Sequence, residues 1–110
     1  STNLDWCSNT MTVQPIVPAH SVTYDGASVY VYHANKGQGL PQHAHAYSHL
    51  TMCHAGSCAV RKEGKEVIMT KETQPINLLA DGWHEIESLE DGTVFVNIFI
   101  NNFRGNSSVI

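Results

Sequence analysis

Gly37-Gln38-Gly39-Leu40-Pro41-Gln42-His43-Ala44-His45-Ala46-Tyr47-Ser48-His49 places three of the chain's seven histidines within seven positions. On a β-strand successive side chains alternate between faces, so residues 43, 45 and 49 share one face if the strand runs regularly that far. Ala44 and Ala46 then occupy the opposite face. Three neutral imidazoles buried together bring polar nitrogens that need partners, and charging them in an apolar interior costs more still. A divalent transition metal answers both problems, because imidazole suits zinc, copper, iron and nickel. The four other histidines are His20, His33, His54 and His84. His54 lies an odd number of residues from His45, so a regular strand through 45–54 turns it away from the cluster.

The surrounding chain reads as strands. Val29-Tyr30-Val31-Tyr32 is β-branched and aromatic, and residues 94–100, Val-Phe-Val-Asn-Ile-Phe-Ile, form the clearest strand of all. Further runs are expected at residues 45–54, 58–62, 66–70, 76–79 and 84–88. Asp25-Gly26, Glu63-Gly64-Lys65, Asp81-Gly82 and Asp91-Gly92 separate these runs, each offering glycine where positive φ is needed. No stretch shows apolar residues at helical spacing between caps. Many short strands in 110 residues predict one all-β domain, a sandwich or barrel, with residues 1–11 as a polar arm carrying Trp6.

Composition excludes several classes. Six Lys+Arg stand against ten Asp+Glu, a formal charge of −4 with no basic run, which speaks against a nucleic-acid partner. No apolar run approaches the roughly 18 residues of a membrane span. Cys7, Cys53 and Cys58 show no CxxC spacing, so reduced thiols in a cytoplasmic protein are expected rather than a disulfide framework. Asn106-Ser107-Ser108 fits the glycosylation pattern, but chance accounts for so short a match. Histidine is the outlier: adding seven positive charges would carry the net charge from −4 to +3, so the chain is either pH-sensitive or a metal binder.

Spacing decides between these two. Gly37 lies six residues before His43, His45 and His49 follow, and Gly56 lies seven beyond His49. This resembles the first motif of the cupins: Gly, five residues, His-x-His, three or four residues, Glu, six residues, Gly. His49 stands where that family usually has Glu. Leu79-Ala80-Asp81-Gly82-Trp83-His84 is similar to the turn-and-His of the second cupin motif, although it lacks the Pro and its Gly lies one place nearer the His. The two motifs span residues 37–88. The resemblance implies a double-stranded jelly roll whose ligands for a divalent metal (iron, manganese, nickel, copper or zinc) are His43, His45, His84 and, in the fourth place, His49. Four imidazoles leave such a metal with more positive charge than three imidazoles and a carboxylate, which favours anionic ligands.

Pocket residues follow from parity. Tyr47 shares the ligand face and is, with a metal-bound hydroxide as the alternative, the candidate catalytic base, while Tyr32, Phe95 and Asn97 are the candidate substrate contacts. A buried amide such as Asn97 needs partners. Core packing competes for all the aromatics, and Cys53, which shares parity with His49, reads as a buried small hydrophobe. Two functional readings stay open. One is a metal-dependent enzyme (a dioxygenase, lyase or isomerase) acting on a small, anionic organic substrate. The other is a binding module with a small ligand or a stabilising metal. Similar small cupins pair as dimers, so a homodimer using the 1–11 arm is also expected.

Overall fold

The computed structural model describes residues 13–44 and 47–100. The arm with Trp6, His45 and the tail with Asn106 fall outside the described residues. Ten strands follow one another: β1 Gln14–Pro15, β2 His20–Tyr24, β3 Ala27–Ala34, β4 Gln38–His43, β5 His49–Ala55, β6 Ser57–Lys62, β7 Lys65–Thr70, β8 Ile76–Leu78, β9 His84–Ser88 and β10 Thr93–Ile100. They form two five-stranded sheets, ordered β1-β4-β9-β6-β7 and β2-β3-β10-β5-β8. Every pairing is antiparallel except β1 with β4. The molecule is a jelly-roll β-sandwich. Among the described residues no helix is long and apolar enough to cross a membrane.

Local sequence explains the hairpins. Asp25 and Gly26 both have positive φ (51° and 84°), as do Glu63 and Gly64 (45° and 82°). Two consecutive residues in that region make the turn whose twist matches its flanking strands. The Asp81-Gly82 turn differs from expectation, because the positive φ of 64° falls on Asp81 and not on the glycine. A Cβ at Gly82 would meet only the end of the flexible Glu63 side chain, at 2.7 Å from Oε2.

Three strands were not visible in the sequence, and each has a physical reason. β1 is two residues long, and β2 is an edge strand exposed along its whole length, so neither shows an alternating pattern. β4 contains Gly39 and Pro41, which depress any strand signal. Pro41 is tolerated because the register with β9 shifts between Leu40 and His43, placing the proline where a ladder N–H is not required.

The expected strand over 45–54 is also corrected. β5 begins only at His49, and the chain crosses from one sheet to the other between His43 and His49. His43 and His49 therefore face each other from two strands instead of lining one.

Alternation fills the space between the sheets. Tyr32 on β3, Cys53 on β5, Val60 on β6, Met69 on β7, Leu78 on β8, Ile86 on β9 and Phe95 on β10 form one buried apolar cluster. Full burial of each large side chain contributes about 1.5–3 kcal/mol. On the outer face, Arg61 bridges Glu66, Glu85 and Glu87 at 2.8, 2.6 and 2.9 Å. Between Cys53 and Cys58 the chain turns at Gly56, whose φ is +76° and whose missing Cβ leaves room for Thr93.

Candidate metal centre

One end of the interior is polar. β4 ends on His43 and β9 begins on His84, and the two are cross-strand partners. Their ring centroids lie 4.4 Å apart. His49, the first residue of β5 in the opposite sheet, lies 5.3 Å from His84. His84 is 1% exposed and His49 4%, so both rings lie inside the sandwich.

Hydrogen bonds orient the rings. His43 Nδ1 lies 2.6 Å from the Pro41 carbonyl oxygen, and His84 Nδ1 lies 3.1 Å from that of Gly82. A carbonyl only accepts, so in both rings Nδ1 carries a proton, which in the neutral ring leaves the lone pair on Nε2. The donor set therefore has the chemistry a soft or borderline divalent cation requires, imidazole nitrogens held by backbone partners. Among the described residues no group of three or more His, Cys, Asp or Glu side chains is closed into a metal-holding arrangement. What they supply is a row of rings centred on His84; His45, the remaining residue of the motif, lies outside the described residues.

The row of rings opens onto a cavity of about 160 Å³ lined by Tyr30, Tyr32, Leu40, His43, Tyr47, His49, Asn97 and Phe99. Its walls are rigid aromatics. Tyr47 stacks on Phe99 at 4.9 Å, and Tyr30 meets Phe99 edge-on at 5.2 Å. Tyr32 is pushed up to about 12, first by burial and then by the neighbouring phenols of Tyr30 and Tyr47. It is thus a neutral phenol, able to donate, throughout the physiological range. Tyr47 and Asn97 line the same space as two of the histidines. Phe95 does not reach this cavity: it is fully buried behind Tyr32, against which it stacks at 4.8 Å.

Sequence reasoning passed over Thr51, a 0% exposed residue that hydrogen-bonds both Asn97 and His49. The available signal was its parity with His49 and Cys53. His54 is exposed and Cys53 buried, as the alternation implies. The Cys53 thiol is pushed up, chiefly by burial, and donates to the Ala55 carbonyl at 3.2 Å.

Neither a protein-family model nor a curated protein sequence matches the chain. Solved structures do. KdgF from Halomonas sp. superposes with a TM-score of 0.69 at 14% identity, over 76% of each chain. A cupin protein from Bacteroides fragilis gives 0.63 at 19% identity, over 79% of this chain and 80% of that one. A cupin-2 domain protein from Shewanella frigidimarina gives 0.61 at 10% identity, over 91% and 92%.

The fold is that of a small cupin.

A second recess borders His84. It measures about 210 Å³ and runs between the β6–β7 turn and the β8–β9 loop. Leu78 and His84 form its buried floor, and Lys62, Glu63, Lys65 and the 40% exposed Trp83 line its mouth. Lys62 Nζ is held 3.4 Å from the Asn77 carbonyl. Among the described residues the tyrosine cavity has no charged side chain on its wall, whereas this recess carries two ammonium groups and one carboxylate.

Proposed function

We propose that this protein is a metal-dependent enzyme in which His43, His49 and His84, with His45, hold a divalent transition metal beside the tyrosine cavity, where a small organic substrate reacts. The observation that carries this reading is the meeting of His43, His84 and His49 from three strands and two sheets, with the Nδ1 atoms of His43 and His84 facing backbone acceptors. A bound metal of this kind would supply Lewis-acid polarisation of a carbonyl or carboxylate or, for a redox metal, chemistry with dioxygen.

The chain's own residues bind and orient. Phe99, Tyr30 and Tyr47 clamp a planar or short aliphatic body and exclude water. Tyr32 donates a hydrogen bond from a phenol that stays protonated. Tyr47, which lines the same cavity as His43 and His49, would take a proton from substrate. Lys62 and Lys65 in the outer recess favour an anionic substrate or its approach along that side. A homodimer and a cytoplasmic setting complete the proposal. Edge strands β2 and β7 expose Val22 and Ile68, which supports the dimer, and buried free thiols at Cys53 and Cys58 accord with reducing surroundings.

Elemental analysis of protein purified without added metal or chelator tests the reading, alongside His84→Ala and His49→Ala variants. Near-stoichiometric transition metal in the wild type and its loss in folded His84→Ala are expected, with metal-dependent turnover on a panel of small carboxylates and phenols. No metal after reconstitution with iron, manganese, nickel, copper and zinc would leave the cupin as a binding module. Metal without turnover would make its role stabilising.

A further inference from the structure

Among the described residues, three histidine rings meet in the centre, and two of them place Nδ1 against a backbone carbonyl. His43 and His84 face carbonyl oxygens, which no side-chain substitution removes. His49 Nδ1 faces a side chain, the Thr51 hydroxyl, at 3.3 Å. A hydroxyl can both donate and accept, so by itself it would leave the His49 tautomer undecided. The decision comes from across the sheet. Thr51 and Asn97 are cross-strand partners on β5 and β10, and Thr51 Oγ1 donates to Asn97 Oδ1 at 2.7 Å. The hydroxyl has one hydrogen. Once it is committed to Asn97, only lone pairs remain toward His49, and Nδ1 must be the donor.

We propose that Thr51 and Asn97 form a positioning relay that fixes His49 as its Nδ1–H tautomer and so keeps the lone pair on Nε2. Neither residue touches the metal or substrate through this role; both act through His49. The proposal leans on the metal reading only for what the Nε2 lone pair meets. Thr51 is 0% and Asn97 6% exposed, so the Thr51–Asn97 bond is made away from bulk water, where a hydrogen bond is electrostatically stronger. Reversing the Asn97 amide would reverse the whole chain: its NH2 would donate to Thr51, the hydroxyl would donate to Nδ1, and the proton would move to Nε2, where it blocks ligation. The tautomer of His49 is thus set by which end of an amide 46 residues downstream meets Thr51.

Two-bond 1H–15N correlation spectra of histidine-labelled, metal-free protein at pH 8 read this directly. For wild-type His49 the expected pattern is a protonated Nδ1 and an unprotonated Nε2. Asn97→Asp keeps an obligate acceptor against Thr51 and should keep that pattern, as should Thr51→Ser. Asn97→Leu frees the hydroxyl to donate and should invert it to Nε2–H, while Thr51→Val should leave a mixture. Zinc titration in parallel should show affinity falling about 10- to 100-fold in Asn97→Leu and Thr51→Val, and staying near wild type in Thr51→Ser. A wild-type His49 protonated on Nε2, or an Nδ1–H pattern unmoved in both Asn97→Leu and Thr51→Val, would overturn the relay. The tautomer pattern as stated, with no zinc bound by any form, would uphold the relay and overturn the metal reading instead.

Discussion

Phe95 and Asn97 sit two residues apart on the inward face of β10, and they look into different halves of the same interior. Phe95 faces Tyr32, Cys53 and the apolar cluster that holds the sheets together. Asn97 faces Thr51 and the histidine rings, where the buried groups are polar. The same division recurs on β9, which begins with His84 and continues to Ile86, and on β5, which begins with His49 and continues to Cys53. Each strand therefore spends one end on stability and the other on a site. Apolar contacts are non-directional and tolerate repacking, whereas the polar end depends on which atom donates to which.

Substitutions at the two ends should fail in different ways. The largest effect is expected for Phe95→Ala, a loss of about 3–5 kcal/mol in urea unfolding, because the fully buried ring leaves a cavity that rigid sheets cannot close. Under the proposed metal reading, the fraction that stays folded should still take up metal, whereas His84→Ala, although it truncates a buried ring, should lose less stability and abolish metal uptake. Equal stability losses for the two variants would erase the distinction between the halves.

Gly56→Ala follows, with an expected cost of about 1–3 kcal/mol, since its φ of +76° and the neighbouring Thr93 both oppose a Cβ. Pairing it with Thr93→Ala should recover only the part due to the hydroxyl, because the Thr93 Cα and Cβ still lie 2.8 and 3.0 Å from the new Cβ and the backbone conformation is unchanged. Complete recovery would mean that the left-handed conformation itself costs nothing.

Alkaline pH probes the apolar end without mutation. Burial pushes the Cys58 thiol from 9.0 up to about 12, and Tyr32 from 10.0 up to about 12. Above about pH 9 the unfolded chain releases these protons before the folded one does, so stability falls as pH rises toward 12. Thermal unfolding between pH 8 and pH 10 should show this decline, and Cys58→Ala should flatten it. An identical slope in the variant would assign the decline to other groups.

The smallest effect is expected outside both halves. Arg61→Met removes three ion pairs, and with Arg61 31%, Glu66 52%, Glu85 21% and Glu87 19% exposed, solvent screening should hold the loss to about 1 kcal/mol, most of it from the two less exposed partners. It should also weaken further the effect of salt on stability. A loss as large as that of Phe95→Ala would make the outer face an equal partner of the core.

Much of this molecule could be read locally. The β-branched run at 94–100, the turn pairs at 25–26 and 63–64, and the histidine spacing at 43–49 all express rules that operate over a few residues. The alternation that buries Cys53 and exposes His54 is of the same kind. β2 and β4 escaped because an exposed edge and a proline-bearing strand carry no such local signature. Phe95 and Asn97 could be placed on one face, but not in different halves of the interior, because that depends on the strands beside them.

From its own order of residues the chain determines that it forms strands, where they turn, and that imidazoles gather near residue 43. Tertiary structure alone decided that His43 and His49 approach from opposite sheets, that His84 is the ring between them, and that Thr51 meets an amide 46 residues away. The physical reason is range: strand and turn preferences are settled within a few bonds, whereas a hydrogen-bond relay exists only once sheet register has brought distant residues to within about 3 Å of one another.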